Sequence, residues 1–144
     1  MSKKFKNLVP LLAVFLLIVP FLAACGSASG KVNVSLGIFK IDMPATIKAG
    51  QVTFHVSNDD TSDTHEFVIF KTDLPEDQLP LTADGAVDEE GAGVTHIDEV
   101  EVKPGEASDL AVNLAPGNYV MICNINDNNE QHYMHGMHQA FTVE

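Results

Sequence analysis

The chain has 144 residues, 45% of them hydrophobic, with twenty acids against eight lysines, no arginine and a net charge of −12. That sign excludes electrostatic binding of nucleic acid or anionic lipid headgroups, whose phosphates require clustered cations. The length is enough for one domain with a real core, and two cysteines are too few for a disulfide framework.

Lys3, Lys4 and Lys6 precede an apolar run over 8–19, and Leu22-Ala23-Ala24-Cys25 follows it. A cationic start, a short apolar core and small residues before a cysteine form the pattern of a secretory leader with a lipidation box. Pro10 and Pro20 oppose the alternative of a retained membrane helix. Ordinary cleavage near Ala24, with Cys25 incidental, is the other alternative. The expected organisation is a lipoprotein signal peptide at 1–24, a flexible tether at 25–30 led by lipidated Cys25, and one folded domain at 31–144. Such a protein is exported and held by its lipid on the extracytoplasmic face of the cell membrane. Losing the leader leaves five lysines, Lys31, Lys40, Lys48, Lys71 and Lys103, against all twenty acids, and Cys123 as the single unlipidated thiol. A lone thiol outside the cell is oxidised unless something occupies or shields it.

Along the folded part, apolar residues recur at the strand period. Val32, Val34, Leu36 and Ile38 share one face of a first segment, and Val52, Phe54 and Val56 share another after the turn at Lys48-Ala49-Gly50. Further strands are expected over 67–70, 94–102, 110–114, 119–122 and 140–143, with Pro104-Gly105 and Pro116-Gly117 as turns. No convincing amphipathic helix interrupts them. Short strands separated by turn signals predict an all-β, Greek-key β-sandwich. Two segments do not read as strands. The stretch 72–93, rich in Asp, Glu, Pro and Gly, is expected to leave the sandwich and partly cover its core; 124–131 is an acidic, amide-rich loop.

The chemistry gathers in the last quarter. Cys123 ends the apolar run Tyr119-Val120-Met121-Ile122, His132 and Met137 follow in His132-Tyr133-Met134-His135-Gly136-Met137, and His65 opens a strand far upstream. Two imidazoles, one thiolate and a thioether are the ligand set of a type 1 copper site, where a soft sulfur stabilises Cu(I) while still accepting Cu(II). Taken alone, Cys123 reads better as a buried structural cysteine. Eight residues separate Cys123 from His132, which leaves room for His135 to compete as the second imidazole. His55 alternates between Phe54 and Val56 and is expected to face solvent, His96 to lie on the surface, and Met43 to pack. His135 and His138 flank Met137, and with Met134 they are open to three readings: a secondary copper site, a polar rim around the main one, or a contact surface. The acid pairs and runs at Asp59-Asp60 and Asp88-Glu89-Glu90 sit in turn-like contexts and read as solvated loops, and no nucleophile–base set or phosphate loop is present, so no enzyme is expected.

Gly117-Asn118-Tyr119-Val120-Met121-Ile122-Cys123, the His132 to Met137 segment and Phe141-Thr142-Val143 together resemble the C-terminal ligand region of the cupredoxins, the plastocyanin and azurin group. Val52-Thr53-Phe54-His55-Val56-Ser57-Asn58 with His65-Glu66-Phe67-Val68-Ile69 resembles the first-ligand region of the same family. The resemblance implies one type 1 copper ion on His65, Cys123, His132 and Met137, with His132 preferred to His135 because the family spacing is His-x4-Met. It implies a carrier of single electrons between extracytoplasmic redox partners, with His132 and its neighbours as the docking edge. The acidic charge of the chain suits a basic partner, and a monomer is expected. The alternative of another class is a copper carrier or scavenger using the same ligands. The loop at 124–131 is longer than family members often have, which favours that alternative.

Overall fold

A computed structural model describes residues 30–127 and 130–144. The leader and Cys25 lie outside the described residues, as does all of the tether but Gly30. The strands are β1 (Gly30–Gly37), β2 (Lys40–Asp42), β3 (Thr46–Ile47), β4 (Gly50–Asn58), β5 (His65–Thr72), β6 (Val94–Val102), β7 (Ala107–Leu114), β8 (Gly117–Ile122), β9 (Asn126–Asp127), β10 (Glu130–Gln131) and β11 (His138–Val143). One 3-10 turn, Tyr133–His135, stands between β10 and β11. Four strands make one sheet in the order β2-β1-β4-β7, and five make the other in the order β3-β11-β8-β5-β6. Both sheets are mixed: β1 runs parallel to β4 and β3 parallel to β11, the remaining pairs being antiparallel. This is the expected sandwich.

Strict alternation builds the core. Val34 and Leu36 of β1, Val52, Phe54 and Val56 of β4, and Leu110, Val112 and Leu114 of β7 turn inward from one sheet. Phe67, Ile69, Tyr119, Met121, Phe141 and Val143 meet them from the other. The Phe54 ring joins the layers, with centroids 5.3 Å from Phe67 and 6.4 Å from Phe141. Ile38 departs from the expected face: β1 stops at Gly37, Phe39 turns at φ 48°, and Ile38 is 70% exposed.

The central strands β5 and β8 of the five-stranded sheet are buried on both faces, which is why they read as unbroken apolar runs rather than alternating ones. Val68, Phe70, Val120 and Ile122 point outward into a second cluster, which Leu79, Val87 and Tyr133 close. Leu79 and Val87 belong to the 72–93 excursion, so that acidic segment covers a small core of its own. The loop at 124–131 also differs from expectation, because β9 and β10 pair as a short hairpin through Glu130↔Asp127 and Gln131↔Asn126.

Phe54→Ala, which removes the ring that bridges the sheets, is expected to cost about 3–5 kcal/mol, whereas Ile38→Ala stays within about 0.5 kcal/mol. Urea denaturation of both variants checks this, and similar losses for the two would refute the assignment of the core.

Candidate metal centre

Three adjacent strands deliver three of the donors to one end of the sandwich. β8 lies between β5 and β11, and Ile122, its last residue, pairs with Val68 on one side and His138 on the other. Cys123 therefore emerges one residue past β8, Met137 one residue before β11, and His65 at the first position of β5. His132 comes from the segment that joins β10 to β11.

The donors converge without rearrangement. Cys123 Sγ lies 3.3 Å from His132 Nδ1 and 3.9 Å from His65 Nδ1, and the two Nδ1 atoms are 3.2 Å apart. An ion bound about 2.0–2.3 Å from two imidazole nitrogens and a thiolate sets those donors about 3.1–3.8 Å apart at ordinary ligand angles. Two sides of the triangle fall within that span and the third, from Cys123 to His65, exceeds it by about 0.1 Å; all three side chains are buried. Met137 is fully buried in the same apolar cluster as Cys123. Its main chain is tied to both neighbouring ligands: Cys123 N–H donates to Met137 C=O at 3.0 Å, and Met137 N–H donates to His132 C=O at 3.1 Å. Gly136 permits this return, since it sits at φ 96° where a side chain would strain the backbone. His135 is outside the triangle and stacks on Phe39, with centroids 4.6 Å apart. Two imidazoles, a thiolate and a thioether on a closed, apolar base fit one type 1 copper ion.

Burial sets the electrostatics. It pushes the Cys123 thiol up to about 11, although the Glu66 N–H, 3.2 Å from Sγ, favours the thiolate. His132 is held below its ordinary value by burial first and then by His65. In the metal-free protein the thiol therefore keeps its proton at neutral pH. Glu66 is pushed up to about 7, by burial first and then by Glu99, Glu89 and Glu101.

No family profile and no curated protein matches the sequence. Solved structures do match in shape. A dithionite-reduced auracyanin from Roseiflexus castenholzii is 22% identical, with 81% of this chain and 98% of that one covered at a TM-score of 0.56. Auracyanin A, a "blue" copper protein from Chloroflexus aurantiacus, is 18% identical over 80% of this chain and 100% of that one, at 0.52. Rusticyanin from Thiobacillus ferrooxidans is 14% identical over 81% and 77%, at 0.56. The chain has the cupredoxin fold.

Within this cupredoxin sandwich, Asp60 corrects the reading of Asp59-Asp60 as a solvated pair. Asp60 is only 4% exposed, and its Oδ2 lies 3.3 Å from His65 Nε2, on the side of the ring away from Cys123. The Ser62 N–H and hydroxyl both donate to its Oδ1, and the N–H is the main reason its carboxyl sits below the ordinary range. A carboxylate on the far nitrogen fixes the tautomer and angle of a ligating imidazole. The five-residue separation from His65 was the available signal, but without the turn at 58–62 it does not distinguish a buried carboxylate from a solvated one. Phe39 and Tyr133 were also missed. Phe39 meets His132 edge-on at 5.3 Å, and the Tyr133 hydroxyl accepts from Leu79 N–H at 3.0 Å and donates to Glu76 C=O at 2.9 Å, anchoring the ligand segment to the excursion.

Asp60→Asn is expected to weaken metal affinity by about 10–100-fold without unfolding the protein; chelator competition measures it, and unchanged affinity would remove Asp60 from the site. A second expectation concerns pH. The folded Glu66 value of about 7 exceeds its ordinary 4.5, so its contribution to stability is complete below pH 4.5 and is lost as pH rises through 7. Glu66→Gln should flatten the fall in the urea midpoint of metal-free protein between pH 5 and 7.5, and an unaltered slope would count against this burial.

Proposed function

We propose that this chain is a mononuclear type 1 copper protein that passes single electrons between extracytoplasmic redox partners. The observation that carries the reading is the buried, pre-formed triangle of His65, Cys123 and His132. Copper, when bound, supplies a one-electron couple at ligands of this kind. The chain's part is to hold its donors still. Asp60 fixes His65 from behind, the Glu66 N–H fixes Cys123 Sγ, and the main-chain bonds of Met137 lock it to both Cys123 and His132. Ligands that do not move between oxidation states keep the reorganisation accompanying electron transfer small. Four donors leave no open position for a substrate, so the reading is not that of an enzyme.

Similarity supports the choice of metal, since auracyanin A and rusticyanin are copper proteins and the Roseiflexus auracyanin was solved in a reduced state. The partner follows from charge. A cleft of about 560 Å³ beside His132 is lined by Asp63, Glu66, Glu101 and Asp127, which suits a basic docking face. The leader pattern supports export and anchoring through lipid on Cys25.

A copper carrier with the same ligands is the second reading, favoured by Met134, a soft donor 61% exposed beside the site. Electron transfer is the better reading because the ligand loop is closed rather than open. The β9–β10 hairpin spans part of it, and His132 N–H donates to Ile125 C=O at 3.0 Å.

The Cu(II)-loaded protein should give an intense thiolate-to-copper absorption band and a small EPR hyperfine splitting, both lost in Cys123→Ser and His132→Ala. A weak tetragonal spectrum, or a thiol that reduces the copper and retains Cu(I), would move the assignment to carriage. With the metal-free thiol at about 11, binding displaces one proton, so Cu(I) affinity should rise about tenfold per pH unit between roughly pH 7 and 9. Chelator competition across that range measures the slope, and a flat profile would mean that Cys123 is not a ligand.

A further inference from the structure

Away from the copper ligands, a second set of metal-type donors converges on the outer face of the five-stranded sheet. His96 Nε2 lies 3.3 Å from Glu99 Oε2 and 3.8 Å from Glu89 Oε2, and the donor atoms of the three residues fall within 4.8 Å of one another. Regular strand geometry does not produce this. His96 and Glu99 are three residues apart on β6, an odd separation that sends side chains to opposite faces of an ideal strand. The pairing of β5 with β6 jumps from Ile69↔Asp98 to Phe70↔His96, leaving Ile97 as an extra, unmatched residue. This bulge rephases the alternation and puts His96 and Glu99 on one side. The His96 ring is then packed edge-on to Phe70, with centroids 5.7 Å apart.

Glu89 arrives from a different part of the chain, the 72–93 excursion, and is held from behind. Asn124 Nδ2 donates to Glu89 Oε1 at 3.0 Å, while the same amide accepts from Val87 N–H at 2.7 Å and donates to Val87 C=O at 3.1 Å. With Oε1 taken, Oε2 is the oxygen turned toward His96. Among the described residues the ion-pair partner of both Glu89 and Glu99 is His96, and no lysine shares the cluster. Glu66 and Glu101 face each other across the same strand pair, adding like charges that destabilise a sheet when uncompensated.

We propose that Glu89, His96 and Glu99 form a second metal site, for a divalent transition ion of the Zn2+ class, which clips the excursion to β6. One imidazole and two carboxylates suit that class, whereas Ca2+ and Mg2+ favour sets made of oxygen alone. Ligand atoms about 2.0–2.2 Å from a tetrahedral ion stand about 3.3–3.6 Å apart; His96 and Glu99 are already 3.3 Å apart, and Glu89, at 3.8 Å from His96, needs only a small inward shift. Water would complete the coordination. The clip lies behind the copper ligands, because Asn124, which holds Glu89, directly follows Cys123. It rests on no assumption about what the buried triangle binds.

The test is a Zn2+ titration of the isotopically labelled protein, following the His96 imidazole signals separately from those of His65 and His132. Saturable shifts of His96 are expected. Glu99→Gln and Glu89→Gln should each weaken them by about tenfold or more, at least the loss that outer-shell replacements cause at metal sites. Zn2+ should also slow proteolytic cleavage within 72–93. The proposal is overturned if the His96 signals stay fixed while those of His65 and His132 move, if neither variant changes the His96 isotherm, or if Ca2+ competes as well as Zn2+. None of these outcomes depends on copper occupancy, so this site and the copper reading stand or fall separately.

Discussion

The main-chain hydrogen bond from Cys123 to Met137 is the constraint on which the ligand end of the molecule depends. It extends the β8–β11 pairing by one step beyond Ile122↔His138, and so closes the whole 123–137 segment onto a rigid base. Three of the four donors belong to that segment. Were the register of β11 to slip by one residue, Met137 and His138 would exchange faces and the thioether would leave the apolar cluster. The bond between Met137 N–H and His132 C=O then fixes the remaining freedom of the loop. His65 needs no loop of its own, because β5 pairs with β8 along its length and starts at the same end.

The surroundings of the triangle have opposed electrical demands. Burial disfavours the thiolate and lifts Cys123 to about 11, so ionisation requires a cation at the site. The Glu66 N–H and the Asp60 carboxylate are both oriented to favour the metal-bound form. The first donates to sulfur and the second accepts from the imidazole. Neither group is free to turn away: the Glu66 N–H is main chain at the start of β5, and Asp60 is clamped by Ser62 and by the turn at Asn58. This arrangement costs some stability in the metal-free protein and gains a site that requires little movement to fill.

The acidic excursion has a structural role that its composition hides. Its few apolar residues, Leu79 and Val87 with Leu74 beside them, lie over the outer face of β5 and β8, and the main-chain N–H groups of Leu79 and Val87 donate to Tyr133 and Asn124. Both contacts are to residues immediately following a donor of the candidate metal centre. The excursion therefore supports the ligand loop from outside while the sandwich core supports it from inside. Edge strand β6 carries Asp98, Glu99 and Glu101, charges that discourage pairing with another sheet.

Alternation of apolar residues, turn dipeptides and ligand spacing made the sandwich, the core between its sheets and the candidate donors legible without coordinates, because each of these follows from neighbours a few residues away. The identity of His132 over His135 was open from spacing alone. It was settled by the 3-10 turn and Gly136, which return the chain so that His135 stacks on Phe39 instead. Asp60 read as solvated because its burial comes from a turn that packs against β7's leading loop through Gly105, a contact distant in sequence. The continuous apolar runs of β5 and β8 signalled burial on both faces, yet nothing local named the segment that covers the second face. Likewise His96 and Glu99 share a side only because one unmatched residue, Ile97, shifts the pairing. The sequence by itself determined which residues alternate and which can bind a soft metal, since period and donor chemistry are local properties. Only the tertiary structure decided which of those donors meet and what holds them, because register, bulges and loop closure depend on contacts between segments that are far apart in the chain.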